Sequence, residues 1–122
     1  MSRFELQGKS AVVTGGGGVL GGVMARGLAA AGARVAILER RREPADRAVE
    51  AIRSQGGEAL TLIADVTSPA QLREARERVL GVWGRLDILI DAVGGDLPGA
   101  TVFGDLSLFG FQGDAFRRVG RP

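Results

Sequence analysis

Hydrophobic and polar positions follow two alternating patterns over the first 95 residues of the chain. Four short runs are almost wholly apolar and predict buried strands at residues 11–14, 34–39, 59–64 and 86–90. The stretches between them carry apolar residues at helical spacing and end in glycine, which predicts three helices. Strands that are apolar throughout are typical of a parallel sheet covered on both faces. The pattern therefore predicts an α/β fold of three layers, with helices on both sides of the sheet.

The first predicted helix follows a run of glycines and begins at about Leu20. Apolar residues at helical spacing define its predicted buried face. That face comprises Leu20, Val23, Met24, Leu28 and Ala31. Gly27 is expected to let this helix lie close on the sheet.

Proline and serine mark the starts of the other two helices. Pro44 is predicted to begin the second helix, where its missing N–H is tolerated. Ser68 is predicted to cap the third helix, and Gln71 stands three residues further on, as in a capping box.

The connections between strands predict where a ligand would bind. Right-handed crossovers place the strands in the order 3-2-1-4. Open parallel sheets bind ligands at the carboxyl ends of the strands where the order reverses, here between strands 1 and 4. The glycine run, Glu39, Asp65 and the loop at residues 92–94 all fall at that edge. Their convergence predicts a ligand site there.

The glycine run at residues 15–18 is the strongest single motif. Gly16, Gly18 and Gly21 fit the G-x-G-x-x-G spacing of dinucleotide-binding turns. A backbone without side chains can approach a pyrophosphate, and N–H groups at the start of the next helix face that anion. A glycine turn that binds no ligand has the same spacing, so the motif alone leaves this alternative open.

Glu39 ends the second strand, 21 residues after Gly18. An acid at about this distance accepts hydrogen bonds from the adenosine ribose in dinucleotide-binding folds. Its charge repels the 2′-phosphate of NADP, so NAD is the predicted cofactor and NADP the less favoured one. Arg40 favours the opposite choice, because an arginine can pair with that phosphate. The alternatives without a ligand are a solvated strand end and a solvated loop at residues 40–42.

Composition excludes several kinds of chemistry. The 122 residues contain no His, Cys, Tyr or Asn, so we predict no metal site, and any chemistry would have to use carboxylates, Ser or Thr, Arg, Lys9, the backbone or a bound cofactor. The net charge is +2 and the arginines are mostly interleaved with acids, so no nucleic-acid surface is expected. No apolar run is long enough to cross a membrane, and no signal segment begins the chain. We therefore expect a soluble, cytoplasmic protein.

In order and spacing, these motifs resemble the amino-terminal half of short-chain dehydrogenases/reductases. The resemblance covers residues 8–95: the Thr-Gly-rich turn at 14–21, the acid at 39, the Asp-Val pair at 65–66, the Gly-x-Leu-Asp-Ile-Leu segment at 84–89, and a loop at 91–94 in place of Asn-Asn-Ala-Gly. It implies a Rossmann-type fold that binds NAD(P) for hydride transfer on a hydroxyl or carbonyl substrate. The glycine-rich form is similar to members that act on sugar acids such as mannonate or fructuronate. The cofactor-binding residues that the resemblance implies are Gly15, Gly17, Gly18, Val19, Leu20, Gly21, Glu39, Arg40, Asp65, Val66, Ala92, Val93 and Gly94.

The chain departs from the family pattern at three places. Val19 stands where the family has its middle glycine, and Asp91 and Ala92 replace both asparagines of the fourth-strand loop. The family's Tyr-x-x-x-Lys motif is absent, and Lys9, the only lysine, precedes the first strand. We therefore predict a truncated half that binds a dinucleotide without transferring hydride.

Beyond residue 95 the regular pattern fails. Residues 96–122 hold four of the five phenylalanines and many glycines, so we predict a core at 1–95 followed by an irregular tail with at most a short helix. The fourth strand would then form an uncovered sheet edge. An alternative function is therefore a non-catalytic module that self-associates through this edge and the tail, and we expect a homo-oligomer. A receiver-like domain shares the layout, but the downstream lysine that it needs is missing.

Overall fold

The computed structural model describes residues 5–92, which form four strands and three helices. The predicted tail at 96–122, together with Val93 and Gly94, lies outside the described residues. The elements in chain order are β1 (Ser10–Thr14), α1 (Val19–Ala30), β2 (Arg34–Glu39), α2 (Arg42–Ser54), β3 (Ala59–Ile63), α3 (Pro69–Trp83) and β4 (Ile88–Asp91).

All four strands pair in parallel, in the predicted order β3-β2-β1-β4. Val12 of β1 lies beside Ala36 of β2 on one side and Leu89 of β4 on the other. The strands are buried almost throughout, because helices cover both faces of the sheet. The predicted three-layer α/β fold is thus confirmed.

Two hydrophobic clusters divide the core, one on each face of the sheet. On one face α3 contributes Leu72, Ala75, Val79 and Trp83. On the other face α1 contributes Ala25, and α2 contributes Ala45, Val49 and Ile52.

The predicted buried face of α1 is correct for Met24 and Leu28, which are partly buried against the core, and wrong for Leu20 and Val23. Leu20 and Val23 are 48% and 54% exposed, whereas Gly21, Gly22 and Ala25 are buried. The start of the helix lies so close to the end of β1 that only small residues fit beneath it there. Periodicity assigned Leu20 and Val23 to the core because it does not register a helix start packed through its glycines.

Gly21, not Gly27, is the point of close approach. A Cβ atom on Gly21 would overlap the carbonyl group of Gly15, whereas one on Gly27 would meet no atom within 4 Å. Gly27 is exposed on the outer side of α1. The expectation that Gly27 brings the helix onto the sheet is therefore corrected.

Helix starts agree with the sequence to within two residues. Pro44 is the third residue of α2 rather than the first, a position that is also tolerant because first-turn N–H groups have no partner within the helix. The Ser68 cap is confirmed, since its hydroxyl oxygen accepts a hydrogen bond from the N–H of Gln71 at 3.2 Å. The Gln71 side chain does not complete the capping box; its Oε1 accepts from the N–H of Asp65 at 2.8 Å.

Asp87 holds the start of β4 against the start of β1. Its Oδ2 accepts the N–H of Ser10 at 2.8 Å, and its own N–H donates to the Ser10 carbonyl at 2.9 Å. Arg85 contacts both carboxylate oxygens at 2.8 Å. Partial burial opposes ionisation, but the hydrogen bonds from Arg85 and Ser10 and the charges of Arg85 and Lys9 together hold the pKa of Asp87 below its ordinary value.

We expect alanine to have opposite effects at the two glycines of α1. Gly21→Ala should lower the free energy of unfolding by about 2 kcal/mol or more, because the new methyl group meets backbone that must move. Gly27→Ala should raise it by about 0.5–1 kcal/mol, because alanine is the better helix former and the site is open. Denaturant unfolding followed by the fluorescence of Trp83, the only tryptophan, measures both. Two changes of the same sign would contradict the packing of α1 described above.

Candidate functional site

The carboxyl edge of the sheet brings together the predicted site residues that the structure describes. The N–H of Gly15 donates to the carbonyl of Leu38, and the N–H of Ala92 donates to the carbonyl of Thr14. The N–H of Ala64 donates to the carbonyl of Glu39. The site residues placed at this edge are Gly15, Gly17, Gly18, Val19, Leu20, Gly21, Glu39, Arg40, Asp65, Val66 and Ala92.

The turn between β1 and α1 is fixed by its backbone. Gly15 has a φ of +72°, a conformation that favours glycine, and its carbonyl accepts the N–H of Gly18 at 3.0 Å. Gly18 is the N-cap of α1 and provides no side-chain cap. Within residues 5–92, no oxygen accepts a hydrogen bond from the N–H groups of Val19, Leu20 or Gly21. The start of α1 therefore presents three donors, with the positive end of the helix dipole behind them.

Two further glycines of this turn are required by close packing. A Cβ atom on Gly16 would lie 2.9 Å from Cδ1 of Ile37, and one on Gly17 would lie 2.8 Å from Oε2 of Glu39. A Cβ atom on Gly18 would meet only the carbonyl oxygen of Gly15, at an ordinary 3.5 Å. The turn is thus packed against β2 and open beside Gly18. An anion such as a pyrophosphate could approach the backbone on this open side.

Val19 replaces a family glycine without backbone strain. It is the first residue of α1, and no residue other than glycine has a positive φ in the described part of the chain. Its side chain is 89% exposed at the same end of the helix as the three donors. The substitution therefore alters the surface of the site and leaves its backbone conformation intact.

Glu39 lies against the glycine turn. Its Oε2 accepts a hydrogen bond from the N–H of Gly17 at 2.7 Å. Arg40, the next residue, is exposed. The spacing of the sequence had placed this acid at the ribose position, but it gave no signal of the contact with Gly17, which depends on the side-chain conformation of Glu39.

Asp65 uses its carboxylate locally. Its Oδ1 accepts hydrogen bonds from the hydroxyl of Thr67 at 2.7 Å and from the N–H of Thr67 at 2.9 Å. These two hydrogen bonds, and more weakly the charge of Arg40, hold the pKa of Asp65 below its ordinary value against a smaller opposing effect of burial. Val66 is partly buried and packs on the cluster beneath α3.

Thr14 and Asp91 join the ends of β1 and β4. The buried Thr14 hydroxyl donates to Oδ1 of Asp91 at 2.9 Å, and the two residues are register partners. The sequence had suggested that Asp91 keeps a local hydrogen bond; the parallel register identifies Thr14 as its partner.

Between residues 5 and 92 the structure contains neither a candidate metal site nor a candidate membrane-spanning helix. No group of three or more His, Cys, Asp or Glu side chains that could hold a metal ion occurs there. In that same stretch no helix is both long and apolar enough to cross a membrane.

Comparison with known proteins agrees with this geometry. The model of the short chain dehydrogenase family matches residues 9–111. The chain belongs to the short-chain dehydrogenase family. An uncharacterized oxidoreductase of Bacillus subtilis, UxuB, is 46% identical over 96 residues, which are 79% of this chain and 34% of that protein.

Solved structures of the family share the fold. One from Haemophilus influenza, which carries the name of a D-mannonate oxidoreductase and contains bound NAD, has a TM-score of 0.67 and 33% identity over 70% of this chain and 30% of its own. A short chain dehydrogenase from Burkholderia cenocepacia, in complex with NADP, has a TM-score of 0.66 and 43% identity over 70% of this chain and 35% of its own. The chain spans about a third of the length of these relatives.

Removing the Thr67 hydroxyl should raise the pKa of Asp65. In Thr67→Val the pKa should move toward its ordinary value but remain below it, because the Thr67 N–H and Arg40 still act. Carboxyl ¹³C NMR over a pH titration measures the change, and Arg40→Gln is the control, with a smaller rise.

A depressed native pKa stabilises the fold above the unfolded-state pKa, and this stabilisation is lost as pH falls through the native pKa. The stability difference between Thr67→Val and wild type should therefore shrink in acid; equal pKa rises in the two variants would contradict the assignment.

Proposed function

We propose that this chain forms the dinucleotide-binding part of an oxidoreductase and that its preferred cofactor is NAD. The observation that carries the proposal is the placement of three N–H donors at the start of α1 beside the Glu39 carboxylate, at one edge of the sheet. A bound nicotinamide dinucleotide supplies hydride exchange with a hydroxyl or carbonyl substrate. The residues described here bind and orient that group.

The start of α1 would hold the pyrophosphate. The N–H groups of Val19, Leu20 and Gly21 are available, and the helix dipole favours an anion beside them. Gly18 adds no side chain to obstruct the approach. Asp65 and Val66 would border the adenine, and Ala92, with Val93 and Gly94 beyond the described residues, would border the nicotinamide side of the groove.

The preference for NAD follows from Glu39. Its carboxylate can accept hydrogen bonds from ribose hydroxyls, and it repels the 2′-phosphate of NADP. The neighbouring Arg40 provides the opposite charge, and the solved relatives include one with NAD and one with NADP. We favour NAD because the acid is held by a hydrogen bond, whereas Arg40 is exposed.

For these 122 residues the proposed role is cofactor binding. The family's Tyr-x-x-x-Lys motif, which serves proton transfer and ribose orientation, has no counterpart in this sequence. The resemblance of the glycine turn to that of sugar-acid oxidoreductases, together with the name of the Haemophilus influenza relative, supports a sugar acid as the substrate of the longer enzyme type.

Fluorescence titration with NADH and NADPH tests the proposed function. We expect NADH to bind with a dissociation constant on the order of micromolar or weaker, and NADPH to bind less tightly. Glu39→Ala should reduce the preference for NADH about tenfold, the effect of roughly 1.4 kcal/mol. The matched control is Glu50→Ala, which removes an exposed acid of α2 and should leave the preference unchanged. No response to either cofactor would refute the proposal.

A second proposed property is self-association through β4. In the described part of the sheet, β4 pairs with β1 on one side and with no strand on the other. An unpaired strand edge is a template for pairing with another chain. This property is compatible with cofactor binding, because pairing would use the unpaired backbone groups of β4, whereas the proposed anion donors belong to α1.

Light scattering over a dilution series should show dimers or larger species at high concentration that dissociate on dilution. The same series with saturating NADH separates association from cofactor binding. A monomer at every concentration would contradict self-association and leave the cofactor proposal untouched.

A further inference from the structure

Three segments meet at Gly17. Its N–H donates to Oε2 of Glu39 at 2.7 Å, so the glycine turn contacts the end of β2 directly. The first turn of α2 also lies close to Gly17. A Cβ atom on Gly17 would be 2.9 Å from both the Cβ and the carbonyl carbon of Pro44. The Glu39 carboxylate therefore lies in a narrow space between the turn and α2.

This contact leaves one carboxylate oxygen available. The hydrogen bond to Gly17 uses Oε2, and within residues 5–92 no donor contacts Oε1. A hydrogen bond to an ionised acceptor is stronger than one between neutral groups. A glutamate side chain held in this way has already lost rotamer freedom that a solvated strand-end acid would lose only on binding.

We infer that Gly17 is a specificity-determining residue of the dinucleotide site, because its N–H holds the Glu39 carboxylate where Oε1 meets the ribose and excludes a 2′-phosphate. The inference rests on the proposed cofactor function and deepens it. Gly17 acts through Glu39 and is a positioning residue. A side chain at this position would displace the carboxylate or α2, because a Cβ atom on Gly17 would lie 2.8 Å from Oε2 of Glu39 and 2.9 Å from Pro44.

Because Arg40 lies next to Glu39, the position of the Glu39 carboxylate would determine which cofactor is preferred. Arg40 follows Glu39 directly, is exposed, and is near enough to Asp65 to lower the pKa of that acid. If the Glu39 carboxylate is displaced from the turn, the guanidinium of Arg40 becomes the dominant charge at the ribose position. The loss of one hydrogen bond would then weaken NADH binding and strengthen NADPH binding at the same time.

Gly17→Ala in the full 122-residue chain tests the inference. We expect the ratio of NADPH to NADH dissociation constants to fall about fivefold to tenfold, similar to Glu39→Ala. Gly27→Ala is the matched control: it makes the same substitution at an exposed position of α1 outside the site, where the methyl group meets no atom within 4 Å, so the ratio should stay at its wild-type value. In the double variant Gly17→Ala/Glu39→Ala the ratio should fall no further than in Glu39→Ala alone, because both changes remove the same interaction.

A second variant addresses the case in which Gly17→Ala does not fold. Glu39→Asp keeps the charge but shortens the side chain by one methylene group, so the carboxylate no longer reaches the N–H of Gly17. We expect the ratio to fall, and the Gly17 amide proton to shift upfield in the NMR spectrum of the cofactor-free protein. A full wild-type ratio in either Gly17→Ala or Glu39→Asp, while Glu39→Ala loses it, would overturn the inference and leave the proposed function standing. Failure of the wild type to bind either dinucleotide would instead refute the proposed function.

Discussion

The close approach of α1 to the carboxyl end of β1 is the constraint on which the site depends. Gly21 lies directly on the backbone of Gly15, with no room for a side chain between them. This contact brings the first turn of the helix to the edge of the sheet, where its unpaired N–H groups are accessible. A larger residue at either position would lift the helix and carry those donors away from the strand ends. The anion-binding character of the edge is therefore a consequence of backbone packing.

Backbone hydrogen bonds set the distances across this edge. Gly15 is bonded to Leu38, Ala64 to Glu39, and Ala92 to Thr14, so each strand end is tied to its neighbour just beyond the last ladder pair. The acids placed by these ties differ in their partners. The carboxylate of Asp65 is satisfied by the residue two positions later, whereas that of Glu39 reaches another element. The position of the Glu39 carboxylate consequently depends on the conformation of the glycine turn, whereas that of Asp65 does not.

Features that depend on periodicity along the whole chain, such as the order of the strands, could be predicted from the sequence. Features that depend on local packing of individual side chains could not. Apolar runs and right-handed crossovers were enough to predict the sheet order and its ligand edge. Leu20 and Val23 were wrongly assigned to the buried face of α1 because they are larger and more apolar than the glycines beneath the helix, and hydrophobicity alone ranks them first. The Gly17–Glu39 contact could not be predicted, since it depends on one rotamer and on the path of the chain at Pro44. The bounds of β2 were predicted correctly, and those of the other strands differed by one or two residues, because ladder bonds and apolar side chains do not begin and end at the same residues.

The central position of β1 has a consequence for how the chain is made. Ser10 and Asp87, which bond across the β1–β4 boundary, are 77 residues apart, so β1 leaves the ribosome long before its second neighbour exists. At usual rates of translation this interval lasts about 4–15 s. During this time β1 can already pair with β2, and β2 with β3. The other side of β1, an apolar strand that contains Val12 and Val13, has no partner. During that interval the side of β1 that β4 later covers is an unpaired strand edge, which is a template for pairing with another chain.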